Sequence, residues 1–126
     1  MALVLRLCAY LTFALGFGLL SGALSGDLFR PGRLAHLALG LATTILAYYV
    51  LGPLLRGGAV AGLAAWFPIL PLTIGLLWFA GVLQSALGPA SIFVIFLHAL
   101  LGLMAVGLIE MQIGRRRRER ELAQRK

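Results

Sequence analysis

Residues 90–113 read ASIFVIFLHALLGLMAVGLIEMQI, and this segment decides the fold class of the chain. It contains one acidic residue, Glu110, and no lysine or arginine. A helix of about 20 apolar residues is long enough to cross a lipid bilayer. Gly114 follows, and then the basic run RRRRERELAQRK at 115–126. A long apolar segment that ends in a basic run is typical of a membrane span whose last residue faces the cytoplasm.

Three more apolar stretches precede this segment, and the breaks between the stretches carry glycine and proline, which favour turns. Pro68 and Pro71 fall early in the third stretch, so we expect a short interfacial segment at 59–67 before its membrane helix. The predicted fold class is an all-α integral membrane protein, a four-helix bundle of four transmembrane helices. The predicted spans are about 2–24, 34–55, 68–87 and 90–113.

Composition supports the membrane interpretation. The chain has 126 residues, of which 61% are hydrophobic and 12% are charged. A soluble domain carries about 25% charged residues. The net charge of +7 belongs to the end of the chain, because seven of the eleven Lys and Arg residues lie after Gly114. Nucleic acid is not an expected partner, since such binding needs a basic face on a folded surface.

The distribution of Lys and Arg between the loops predicts the orientation. With the N-terminus inside, Arg6, Arg56 and the tail face the cytoplasm, while Arg30 and Arg33 face outward. We therefore expect a multi-pass protein of the cytoplasmic (inner) membrane with both termini cytoplasmic. The chain divides into a four-helix transmembrane domain at 1–114 and a basic cytoplasmic tail at 115–126, which anionic membrane lipid would attract.

Two segments of the chain share the pattern H-x-x-L-G-L. The first begins at His36 and reads HLALGL, and the second begins at His98 and reads HALLGL. These are the two histidines of the chain. Helices one and two are therefore predicted to form a hairpin that helices three and four repeat, as occurs in other membrane folds.

The two histidines are the predicted functional residues. A histidine inside a membrane span is costly and faces protein or a cavity, which makes it a candidate site. In the repeat, His36 and His98 lie at the same depth, in the outer half of the membrane, on helices that run in the same direction. Gly40 and Gly102 share the faces of these histidines one turn later, so a flat macrocycle could approach the backbone there. Haem iron commonly takes axial histidine, and the core of a four-helix bundle is a usual place for such a site.

Two arginines complete the predicted site. Arg33 lies one turn before His36, and Arg30 lies just beyond it in the outer loop. Both could pair with the propionates of a single haem b. Two alternatives stay open for the histidines: each could bind the magnesium of a separate (bacterio)chlorophyll, or both could hydrogen-bond across helices with no cofactor.

At these residues the chain resembles the small four-helix transmembrane b-type cytochromes, which anchor respiratory enzymes or exchange electrons with quinones. The resemblance rests on the four-helix architecture, His36 and His98, and Gly40 and Gly102. Many members of that group carry four histidines and two haems, whereas this chain carries two histidines. The resemblance implies an electron-transfer subunit with one haem, held in a complex with other subunits or with copies of itself. No nucleophile constellation, phosphate loop or zinc spacing is present in the sequence, so we do not expect an enzyme by itself.

Overall fold

The computed structural model describes residues 1–52 and 59–125, and every regular element in that part of the chain is helical. Single-turn 3-10 helices at Gly26–Leu28 and Gly88–Ala90 join some of the α-helices. Leu55, where the second predicted span ends, and Arg56 lie outside the described residues. The α-helices are α1 (Ala2–Leu20), α2 (Phe29–Leu51), α3 (Ala59–Trp66), α4 (Ile69–Phe79), α5 (Val82–Leu87) and α6 (Ser91–Gln124).

The turn between α1 and α2, which form the first hairpin, depends on two glycines. Gly22 and Gly26 have φ values of 78° and 57°, a conformation that residues with a Cβ rarely adopt. Leu24, between them, folds back so that its side chain lies close to Gly18 of α1 and Gly32 of α2. The small residues of both helices thus let the turn pack onto the end of the hairpin that carries it.

The third span differs from the helix that we predicted at 68–87. Pro71 lies in the first turn of α4, where proline is tolerated. The helix then ends at Phe79, because Gly81 takes the left-handed conformation with a φ of 77°, and α5 restarts at Val82. The apolar helical segment of this region runs from Gly62 to Phe79, and it includes most of α3.

The last helix is much longer than a membrane is thick. α6 has 34 residues, which is roughly 51 Å at 1.5 Å per residue, against about 30 Å for the hydrocarbon layer. Its basic end stays helical, and an i,i+4 ion pair between Arg117 and Glu121, 2.9 Å long, lies on that part. The tail at 115–124 is therefore a continuation of the last apolar helix.

In cross-section the bundle has four corners, which are occupied by α1, by α2, by α3 together with α4, and by α6. α1 packs against α2 and α6, while α3 and α4 pack against the same two helices from the other side. α2 and α6 consequently lie across a diagonal of the bundle. An ion pair of 2.8 Å joins Arg6 of α1 to Glu110 of α6.

The bundle is packed most tightly at the end where both termini lie. Its fully buried side chains come from the start of α1, the end of α2, α3 and the second half of α6. Elsewhere most large apolar side chains face outward, as with Phe93, which is 75% exposed. Four helical segments are long and apolar enough to cross a membrane. The residues of the core cluster are Leu5, Ala9, Ala47, Leu51, Ala64, Ala65 and Ile109.

Candidate functional site

The two histidines meet in the middle of the bundle. The rings of His36 on α2 and His98 on α6 have centroids 5.9 Å apart, with their planes at 72°. Both side chains are half-buried. Because α2 and α6 occupy a diagonal, the rings meet between the other helices. The structure therefore brings together the two residues on which the predicted site depends.

The backbone of α1 fixes one of the two rings. Nδ1 of His36 lies 2.8 Å from the carbonyl oxygen of Thr12. A carbonyl only accepts, so Nδ1 donates its proton, and a neutral ring then carries its lone pair on Nε2. Metal-bound histidines usually hold the other ring nitrogen in this way.

His98 has a related but incomplete arrangement. Its Nδ1 is buried and has no hydrogen-bond partner among the residues that the structure describes. The absence of a full hydrogen bond leaves this ring less firmly fixed than that of His36.

Each ring lies against a glycine of the preceding span. A Cβ built on Gly16 would come within 2.7 Å of Cε1 of His36, and one built on Gly75 within 3.1 Å of Cε1 of His98. The first distance is shorter than real Cβ contacts, so Gly16 is required for this ring position. Our sequence interpretation missed both glycines. Gly16 and His36 lie ten residues on either side of Gly26, but Gly75 and His98 lie 13 and 10 residues from Gly88, so no single spacing in the sequence identifies both.

A cavity of about 700 Å³ opens on the histidines. Gly40, Gly102 and Arg33 line it together with both rings, so five of the six predicted site residues share one cavity. The rest of the lining is largely apolar and aromatic. Its aromatic members include Phe13, Phe17, Phe29, Trp78 and Phe79.

At the two predicted glycines, Gly40 and Gly102, no neighbouring side chain or backbone among the described residues packs so closely that a Cβ would clash with it. A Cβ on Gly40 would make ordinary contacts with Thr12 and Leu72 at 3.7 and 3.8 Å. A Cβ on Gly102 would meet nothing within 4 Å. Packing between helices therefore does not require glycine at either position.

The two predicted arginines are placed differently. The guanidinium of Arg33 lies 4.9 Å from the ring centroid of Phe79 and 5.4 Å from that of Phe29. Such stacking holds an arginine in place while leaving its N–H groups free to donate. Arg30 is exposed and is not among the residues that line the cavity.

Within residues 1–52 and 59–125, no group of three or more His, Cys, Asp and Glu side chains could hold a metal ion. Two imidazoles are the metal ligands that this cavity offers. Comparisons with protein families, with curated proteins and with solved structures found no match to the chain.

Proposed function

We propose that this chain is a four-span membrane protein that binds one b-type haem between His36 and His98. It would carry electrons between a quinone or another membrane partner and an extracytoplasmic partner. The observation that carries the proposal is the meeting of the two histidine rings, from diagonal helices, at one apolar cavity. The apolar outer surface favours insertion into a membrane, and the basic tail favours a cytoplasmic position of both termini.

The two rings lie close enough for both histidines to hold one ligand. Their centroids are 5.9 Å apart, and a bond from an imidazole nitrogen to a metal is about 2 Å long. His36 and His98 would hold the haem. Two imidazoles alone are few ligands for a bare metal ion, which favours a metal carried by a macrocycle.

The size of the cavity favours one ligand. Its volume of about 700 Å³ lies in the range of about 300–1,000 Å³ that is usual for small-molecule sites. Two chlorophylls, each on its own histidine, would have to share this space with rings that nearly touch. A single macrocycle that both histidines hold needs the volume of only one ligand.

The residues around the rings suit a haem in two further ways. Donation from Nδ1 of His36 to the Thr12 carbonyl leaves Nε2 for iron and sets the direction of the ring. Arg33, on the lining and without a carboxylate partner among the described residues, is the candidate partner of a propionate. When bound, a haem accepts and releases one electron, and the aromatic lining would keep water from it.

An absorption spectrum of the purified protein tests the proposal. The expected result is a reduced-minus-oxidised haem b difference spectrum, with one haem per chain by pyridine haemochrome assay. Chlorophyll bands would replace the proposal with the pigment alternative. A colourless protein, even after reconstitution with haemin, would contradict any ligand between the histidines.

One observation favours a second candidate, a structural subunit without a cofactor. The hydrogen bond from His36 to Thr12 and the contact between the two rings already tie α1, α2 and α6 together. Such bonds across helices stabilise membrane bundles without any ligand. In that case His36→Ala would lower stability in a protein that never contained haem.

A further inference from the structure

A second concave surface lies at the opposite end of the molecule, where the last helix leaves the bundle. This groove has a volume of about 200 Å³. Ala2 of α1, Val50 of α2 and Ile113 of α6 give it an apolar floor, and arginines of the α6 extension form its rim. We propose that this groove, here called the basal groove, binds the headgroup of an anionic phospholipid.

The charges of the rim are suited to a phosphate. Arg116, Arg117 and Arg120 all line the basal groove, and they lie on one face of the helix. Glu121 also lines it, but its carboxylate is bonded to Arg117 at 2.9 Å. Arg116 and Arg120 have no carboxylate partner in the part of the chain that the structure describes. Two unpaired guanidinium groups can bind phosphate oxygens through paired N–H donors.

The position of the groove favours a lipid over a soluble anion. Its apolar floor comes from the ends of three membrane helices, and its arginines follow directly on the last apolar turn of α6. A phospholipid presents this same order, with acyl chains beside the helices and a phosphate at the level of the interface. Basic residues at this level also attract the anionic lipids of the cytoplasmic leaflet.

The test compares two variants of equal charge in the full chain. Arg116→Gln/Arg120→Gln removes the unpaired rim of the basal groove. Arg118→Gln/Arg125→Gln removes two charges from the same extension at positions that do not line it. Both proteins are titrated with phosphatidylglycerol in phosphatidylcholine nanodiscs, and bound lipid is counted by native mass spectrometry. Circular dichroism checks that each variant keeps the helix content of the unaltered protein.

The expected result is a difference between the two variants. The rim variant loses the charge-assisted hydrogen bonds of two guanidinium groups to the phosphate, so it should bind phosphatidylglycerol at least tenfold more weakly. The control variant should stay within about threefold of the unaltered protein, since exposed charges are screened. Equal losses in both variants would contradict a groove and indicate general attraction to the tail. Full competition by inorganic phosphate would contradict the choice of a lipid.

Discussion

The ring of His36 is hydrogen-bonded to the backbone of a neighbouring helix, and it also contacts the ring of His98. The Thr12 carbonyl accepts the hydrogen bond from its Nδ1, and Gly16, one turn further along α1, provides the space for the ring. The direction of Nε2 is therefore a consequence of how closely α1 approaches α2. A single added methyl group on α1 should be enough to disturb it.

Gly16→Ala tests this arrangement. Its Cβ would lie 2.7 Å from Cε1 of His36, so the ring must move or the helices must separate. We expect a loss of about 1–3 kcal/mol in unfolding free energy, the usual cost of overpacking, together with weaker haem binding. Gly107→Ala is the matched control, since its Cβ meets nothing within 4 Å and it does not line the cavity. Equal stability of the two variants in a thermal unfolding assay would mean that the close contact is unimportant.

Arg33 and Arg30 were both predicted to bind propionates, and the structure gives them unequal positions. Arg33→Gln removes the guanidinium that lines the cavity. Loss of a charge-assisted hydrogen bond costs about 1.5–3 kcal/mol, so haem dissociation should increase at least tenfold. Arg30→Gln should have a smaller effect, because its side chain is outside the cavity lining. Haem transfer to apomyoglobin measures both rates, and a larger effect of Arg30→Gln would reverse the assignment.

The two histidines could be identified from the sequence as candidate site residues, because ionisable groups are rare in an apolar sequence. The glycines beneath them could not be separated from the other fourteen of the sixteen in the chain. A glycine within a membrane helix often marks a place where another residue packs closely against the backbone. The identity of that residue depends on the register between the antiparallel helices. That register depends on Gly26 and the turn around it, which the pattern of hydrophobicity does not fix.

Among the helices, α1 and α6 are joined by the ion pair between Arg6 and Glu110. The two side chains are 38% and 30% exposed, so the pair is only partly shielded from its surroundings. It fixes the first and last spans to each other near the tightly packed end of the bundle. The carboxylate of Glu110 accepts this hydrogen bond from the first helix and not from the arginines that follow it on α6.

Glu110→Gln should therefore destabilise the bundle, because Arg6 keeps its charge without a partner. We expect a loss of about 1–3 kcal/mol in unfolding followed in detergent. The double variant Arg6→Gln/Glu110→Gln should lose less than the sum of the single changes. The exposed pair Arg117 and Glu121 serves as a control, and its coupling should be only about 0.3–0.5 kcal/mol. Strict additivity at Arg6 and Glu110 would show that the pair does not couple the helices.

The number of long apolar helices could be predicted from the sequence, whereas the course of the third span could not. Apolar length is enough to identify a span, and the prolines at 68 and 71 correctly marked where α4 begins. Gly81 ends that helix through its left-handed conformation, yet it stands within an apolar stretch without the usual polar turn residues. Hydropathy alone does not distinguish such a break from a continuous helix.

Across the whole molecule, the tightest packing and the two histidines lie at different levels along the bundle axis. Buried leucine, isoleucine and alanine side chains stabilise the end near both termini, and the cavity begins beside Ala9 and Ile109 of that core and extends past the two histidines. This division lets one end set the distances between helices while the other holds a ligand. It also explains why His36 and His98, from helices that lie on a diagonal, can face each other across the bundle.

We propose that one iron binds both histidines, and electron paramagnetic resonance of the oxidised protein can detect such an iron. Iron with two imidazole ligands gives a low-spin signal, which is the expected result. In His36→Ala and His98→Ala that signal should disappear, with the haem either lost or converted to a high-spin form. A low-spin signal at full haem content in either variant would contradict the claim.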